Sequence, residues 1–232
     1  GCFYLAAGVY YFCKVTGWSH SQEVLKLSTD TFLNLPKAKQ EAIIAAAVDE
    51  FAASPYDSAS LSKIVAKAGI AKGSMYQYFE NKRELYLYIL NLAYEQKRLF
   101  LKDVFTDADD FFATLKRYYR RSFLFAQEYP LYHKIINHYW DYCAEFEEEV
   151  RASRELRAND FLSMMKQAID QGQVDPNIDQ EAAFFVYHSV GKELIDNFLA
   201  LSEADKTEHL NFIDSVLDVL ALGLQKRKEQ PR

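Results

Sequence analysis

From Pro36 onward, apolar residues recur at the three- and four-residue steps of an α-helix rather than the two-residue step of a strand. In Lys37 to Ala53 these positions are Ala38, Ala42 or Ile43, Ala45 and Ala46, and then Phe51, which predicts an amphipathic helix with Pro36 in its first turn. Ser54-Pro55-Tyr56-Asp57 breaks the pattern. Ser60 is placed to cap a short helix through Lys67, with Leu61, Ile64 and Val65 facing inward. Ala68-Gly69-Ile70 reads as a tight turn. A second short helix then runs from about Ala71 to Tyr78, and Asn81 can cap a long one through about Phe105.

The same period continues behind this head. Helices are predicted from Asp107 to Glu128, from Leu131 onward, and from about Ala144 to Gln171, where Gly172 stops the last of them. A loop containing Pro176 leads to two final helices, Asp179 to Leu201 and Ser202 to Lys226; Ser202 and Asp205 have capping-box spacing. Neither an internal repeat nor a long linker interrupts the series. The expected fold is all-α: a three-helix N-terminal domain at 35–83, continuing into a linking helix to about 105, and a larger helical domain at 84–232. Residues 1–34 form an N-terminal extension.

Composition changes this picture in three places. The chain carries a formal charge of -6, but unevenly. Pro36 to Arg83 holds seven basic and five acidic residues, whereas 18 basic residues face 26 acids from Glu84 onward. Phosphate binding follows the local field, so a mildly basic head on an acidic body is compatible with DNA binding without establishing it. Cys2, Cys13 and Cys143 have no metal-ligand spacing, and an odd count suggests no disulfide framework, which fits a reducing cytoplasm. The apolar run Cys2 to Cys13 is too short to cross a bilayer and lacks the basic flank of a secretory signal. It reads as an arm or extra helix packed on the body, or as a partner or membrane anchor. Alternatively, translation begins later, for instance at Val24 or Leu27.

Two short helices joined by a glycine-containing turn make a helix-turn-helix. Its crossing needs small or apolar residues, which Ala68, Gly69 and Ile70 supply, and Gly69 can take the positive φ of a sharp turn. The second helix must offer short or hydrogen-bonding side chains to base edges, and Lys72, Gly73, Ser74 and Gln77 qualify. Tyr76, Tyr78 and Lys82 suit flanking phosphates. Tyr76 is equally open to packing between helices, and Phe79 reads mainly as core.

The run from Ser60 to Leu85, with Ile64, Ala68-Gly69-Ile70, Gly73, Tyr76, Tyr78-Phe79, Lys82 and Leu85 at their places, resembles the signature of the tetracycline-repressor (TetR) family. Phe51-Ala52 and Tyr56 fit the end of the preceding helix. The likeness spans about fifty residues. It departs at Ala71, where a Ser or Thr usually caps the recognition helix, a loss of about 1 kcal/mol, and at Val65, where Ala is usual. The resemblance implies that Lys72, Ser74 and Gln77 approach bases, with Gln77 able to pair with an adenine edge. It also implies that Ser60, Ser62, Tyr76, Tyr78 and Lys82 hold the DNA backbone and that Gly73 permits close approach. The implied activity is transcriptional regulation, with repression as the default, through binding of a palindromic double-stranded operator.

Such a head reads two half-sites well only in pairs. The last two helices offer apolar stripes for a four-helix homodimer interface: Val190, Leu194 and Phe198 on one, Ile213, Leu217 and Leu220 on the other. The alternative is that these stripes face their own core. The aromatic middle of the chain, with Phe123, Tyr139 and Trp140 as the favoured lining, suits a small hydrophobic or aromatic effector whose binding releases DNA. His133 and His138 diverge on a helix, and Glu147, Glu148 and Glu149 read as a solvated face. Neither a nucleophile elbow nor a phosphate-binding glycine loop is present, so no catalytic residue, resident metal or cofactor is expected. A metal-sensing regulator is the alternative reading; a helical enzyme ranks below it.

Overall fold

The structure is a computed structural model that describes residues 28–104, 110–142, 146, 161–196 and 201–224. The apolar leader, the start of the 144–171 helix and Phe198 lie outside these residues. In chain order the described helices are α1 (Asp30–Leu33), α2 (Lys37–Ala53), a single 3₁₀ turn (Tyr56–Ser58), α3 (Leu61–Lys67), α4 (Lys72–Tyr78), α5 (Lys82–Phe100), α6 (Phe111–Glu128), α7 (Pro130–Tyr142), α8 (161–170), α9 (Gln180–Asp196) and α10 (Glu203–Leu224). No strand occurs among the described residues. The chain folds as two compact units. The first takes 28–99 together with 129–142 and Phe146, and the second takes 100–104, 110–128, 161–196 and 201–224.

In the first unit, α2 buries Ile43, Ala46, Ala47, Val48, Phe51 and Ala52. Its small alanines let α3 and α7 pack closely against it. At the C-terminal end of α2, the Phe51 carbonyl accepts a hydrogen bond from His138 Nδ1 of α7 at 2.9 Å. That bond satisfies a terminal carbonyl no helical N–H can reach. His138 therefore serves as a tie between helices, and His133 of α7 pairs with Asn137 at 3.1 Å. Asn81 caps α5 as its sequence position suggests, its Oδ1 accepting from Glu84 N at 2.9 Å, while Glu84 in turn accepts from Glu80 N at 2.8 Å.

The second unit is built on α6, whose Phe111, Leu115, Tyr119 and Phe123 recur every four residues and line one face. Met165 and Ala168 of α8, Ala183, Tyr187 and Leu194 of α9, and Ile213, Leu217 and Leu224 of α10 close the core over that face. Two ion pairs run along α6 and α10 in antiparallel register, Lys116 with Asp218 at 2.5 Å and Arg120 with Asp214 at 2.6 Å. They set alignment more than stability, since all four groups reach solvent. At Gly191 the Tyr119 ring lies against the bare backbone of α9, and its hydroxyl donates to the Tyr187 carbonyl at 2.8 Å.

This packing corrects the interface stripe expected from sequence. Leu194, Ile213 and Leu217 are buried in the unit's own core, and Val190 and Leu220 pack against that core. The large apolar side chains left in solvent are instead Phe185 and Val186 on α9 and Phe212, Val219 and Leu222 on α10. The last six residues of α10, Val219 to Leu224, carry no polar side chain, so periodicity alone could not choose the inward face there. Phe123, expected in a pocket, is fully buried with its ring edge-on to His209 at 4.6 Å. Tyr139 and Trp140 belong to the first unit, where Tyr139 is buried between Phe146 and Trp140.

Candidate nucleic-acid interface

The first unit presents a helix-turn-helix. Ser60 caps α3, its Oγ accepting from Lys63 N at 3.4 Å, and its own N–H donates to Glu50 Oε1 of α2 at 2.8 Å. Lys67 pairs with Asp49 at 2.7 Å and Lys63 with Glu50 at 3.7 Å, so α3 is moored to α2 by charge as well as by buried Ile64 and Val65. Gly69 turns the chain with φ 65°, a conformation that disfavours side chains. Ala71 then opens α4 without any side-chain cap.

Seven residues make α4 about 10 Å long, a length that fits along the major groove of a duplex. Its inward face buries Met75 and Tyr78. Its outward face exposes Lys72, Gly73, Tyr76 and Gln77, with Ser74 half-buried at the edge. A Cβ at Gly73 would meet nothing within 4 Å, so the fold itself does not require glycine there. The bare position lies on the exposed face of α4, open to close approach by a second molecule. Ser62 is exposed on α3, and Ser60 is half-buried beside it.

Two residues expected at phosphates occupy different surroundings. Tyr78 is only 4% exposed and packs beside Phe32 in the core. The Lys82 ammonium, with three donors, lies 2.7 Å from the Tyr56 carbonyl, 3.3 Å from that of Ala59 and 3.5 Å from that of Asp57, above the Tyr56 ring at 4.3 Å. These bonds hold the 3₁₀ turn against the start of α5. Lys82→Ala is therefore expected to destabilise the first unit by about 2 kcal/mol, the worth of charged hydrogen bonds left unmade. Thermal melting followed by circular dichroism checks this; an unchanged melting curve would show that the ammonium is not a structural tie.

Sequence reasoning missed the residues just ahead of α2. Thr29 N donates to the Tyr78 carbonyl at 3.0 Å and Thr29 Oγ1 donates to the Gln77 carbonyl at 2.6 Å, both at the end of α4. Phe32, fully buried, meets the rings of Phe79 and Tyr88 at 4.9 and 5.6 Å. The only signal in the sequence is a Thr three residues before a Phe, too short a pattern to predict an element.

The second unit carries an apolar groove of about 280 Å³ between α9 and α10, lined by Ala182, Ala183, Val186, Val219, Leu220 and Gly223 among others. Tyr187 forms part of its lining, and burial together with the Asp218 carboxylate pushes its phenol up, so it stays uncharged at neutral pH. None of Phe123, Tyr139 and Trp140 lines this groove. Among the described residues no helix is long and apolar enough to cross a membrane.

An all-helical chain whose N-terminal helix-turn-helix exposes a polar, glycine-bearing recognition helix defines the class of DNA-binding transcriptional regulators. Residues 43–89 match the family described as bacterial regulatory proteins, tetR family. Over 86% of this chain and 99% of the other, the structure resembles a TetR family transcriptional regulator from Chloroflexus aurantiacus J-10-FL, at 31% identity and a TM-score of 0.73. The chain belongs to the TetR family and is a transcription regulator, not an enzyme. The fold is also that of the ketosteroid transcriptional regulator KstR2 of Mycobacterium tuberculosis, at 15% identity and a TM-score of 0.63 over 84% of this chain and 98% of that one. It is likewise shared with FadR from Bacillus subtilis in complex with stearoyl-CoA, at 19% identity and a TM-score of 0.62 over 79% and 98%. No curated protein matches the sequence.

Proposed function

We propose that this chain is a cytoplasmic repressor that binds a palindromic operator as a homodimer and releases it on binding a hydrophobic small molecule. Residues 35–83 are its DNA-reading part, continuing into a linking helix to about 105, and the effector and the second copy are bound within 84–232. The observation that carries this reading is the outward face of α4: Lys72, Gly73 and Gln77 exposed, with Ser74 beside them and no structural requirement for glycine. Lys72, Ser74 and Gln77 read base edges, Gly73 lets the helix approach, and Ser60, Ser62 and Tyr76 meet phosphates. Tyr78 and Lys82 act from within the head, holding the reading helix and its neighbouring turn in place.

Homodimerisation uses the exposed α9–α10 face of Phe185, Val186, Phe212, Val219 and Leu222, a surface of large apolar side chains at helical spacing. The hydrophobic effector is supported by the abundance of aromatic residues in the second unit and by the likeness to a regulator crystallised with stearoyl-CoA. To release DNA, it must bind the DNA-incompetent state more tightly.

Selection of duplexes from a random library with the full chain tests the DNA reading directly. A palindromic consensus is expected, and Gln77→Ala should weaken binding to the selected duplex about tenfold while leaving a scrambled duplex nearly unaffected. Failure to enrich any sequence would refute the proposal. Fatty acids and acyl-CoA thioesters of graded length can then be screened for release of the selected duplex; a response confined to small hydrophilic metabolites would refute the effector class.

A further inference from the structure

We infer that Thr29 is a specificity-positioning residue: the segment ahead of α2 caps the C-terminus of the recognition helix and thereby fixes how Gln77 meets a base. The inference rests on the proposed role of α4 in reading DNA. A seven-residue helix has too few internal hydrogen bonds to hold its own last turn, and its final carbonyls have no helical partner. Phe79, the residue after α4, is extended, and its N–H returns to the Met75 carbonyl. That leaves the carbonyls of Gln77 and Tyr78 beyond the reach of the helix.

Thr29 supplies both missing donors, its Oγ1 to Gln77 at 2.6 Å and its N–H to Tyr78 at 3.0 Å. The same Oγ1 accepts from Phe32 N at 3.3 Å and so starts α1. One hydroxyl thus joins the first turn of α1 to the backbone of the residue proposed to read a base. Phe32 anchors this arrangement, fully buried among Tyr78, Phe79 and Tyr88. Gln40 Nε2 holds the following strand of backbone by donating to the Leu33 and Leu35 carbonyls at 3.0 and 2.8 Å. Thr29, Phe32, Leu33, Leu35 and Gln40 all precede the stretch that matches the family, 43–89. Losing the hydroxyl frees the Gln77 carbonyl and lets the last turn of α4 fray, which degrades base reading before it degrades the rest of the head.

The test uses the full chain carrying Thr29→Val, Thr29→Ser or Gln77→Ala, titrated against the duplex selected by the unaltered protein and against a scrambled duplex of equal length. Thr29→Val is expected to weaken binding to the selected duplex about tenfold, leave the scrambled duplex within about twofold, and relax base preference at the Gln77 position on reselection. Thr29→Ser should restore both affinity and preference. Equal loss on both duplexes, or no loss on either, overturns the inference. If Gln77→Ala weakens the selected duplex but Thr29→Val does not, only the positioning role fails; if neither does, the reading of α4 itself fails.

Discussion

Gly191→Ala is expected to destabilise the second unit by about 3 kcal/mol, the upper part of the range for overpacking a buried contact. A Cβ at this position would stand 1.8 Å from Tyr119 Cε1, 2.4 Å from Cζ and 2.6 Å from the hydroxyl. The ring cannot swing aside cheaply. It is buried, packs edge-on to Tyr118, and is tethered through its hydroxyl to the Tyr187 carbonyl. For a chain of this size, such a loss corresponds to a fall of about 6–12 °C in melting temperature. Tyr119→Phe, which removes the tether and not the ring, should cost only about 1 kcal/mol. Combining Gly191→Ala with Tyr119→Leu should recover part of the loss, because the clash is with ring atoms. Scanning calorimetry of the three variants decides the matter; a single alanine variant that melts like the parent would show that α6 and α9 are not in close contact at Gly191.

A second large effect is expected from Phe185→Glu together with Leu222→Glu. These side chains are 70% and 72% exposed in the single chain, so their replacement should leave helical content and melting of the isolated subunit nearly unchanged. On the proposed interface they would instead bury charges against apolar partners, which association cannot compensate. The double variant is expected to sediment as a monomer at micromolar concentration. Its affinity for a palindromic duplex should fall by about 100-fold or more, since two half-sites no longer bind as one ligand. The contrasting variant Ile213→Ala lies in the core and should lower stability instead. A dimeric double variant would place the interface elsewhere.

Much of the head was legible in the sequence because its signals are local. Ser60 caps α3 and Asn81 caps α5 through their own following turns, and Gly69 carries the positive φ the helix-turn-helix needs. The absence of a cap at Ala71 could be read directly as well. The groups that depend on distant residues could not. Nothing near Lys82 in sequence announces the carbonyls of Tyr56, Asp57 and Ala59, and nothing near Gln77 announces Thr29, 48 positions earlier. Tyr78 and Gln77 are neighbours with opposite fates, because a one-residue step on a helix turns the side chain by about 100°.

The pattern of apolar positions by itself determined that this chain is helical, where most of its helices lie, and which two short helices form the helix-turn-helix. Those properties follow from the 3.6-residue period, from caps and from one glycine, all set within a few residues. Tertiary structure alone decided which side of α9 and α10 is core, which histidine ties two helices together, and what holds the end of α4. Where apolar side chains point to several sides of a helix, the inward face is chosen by the neighbour it packs against, here α6 with its stack of Phe111, Leu115, Tyr119 and Phe123.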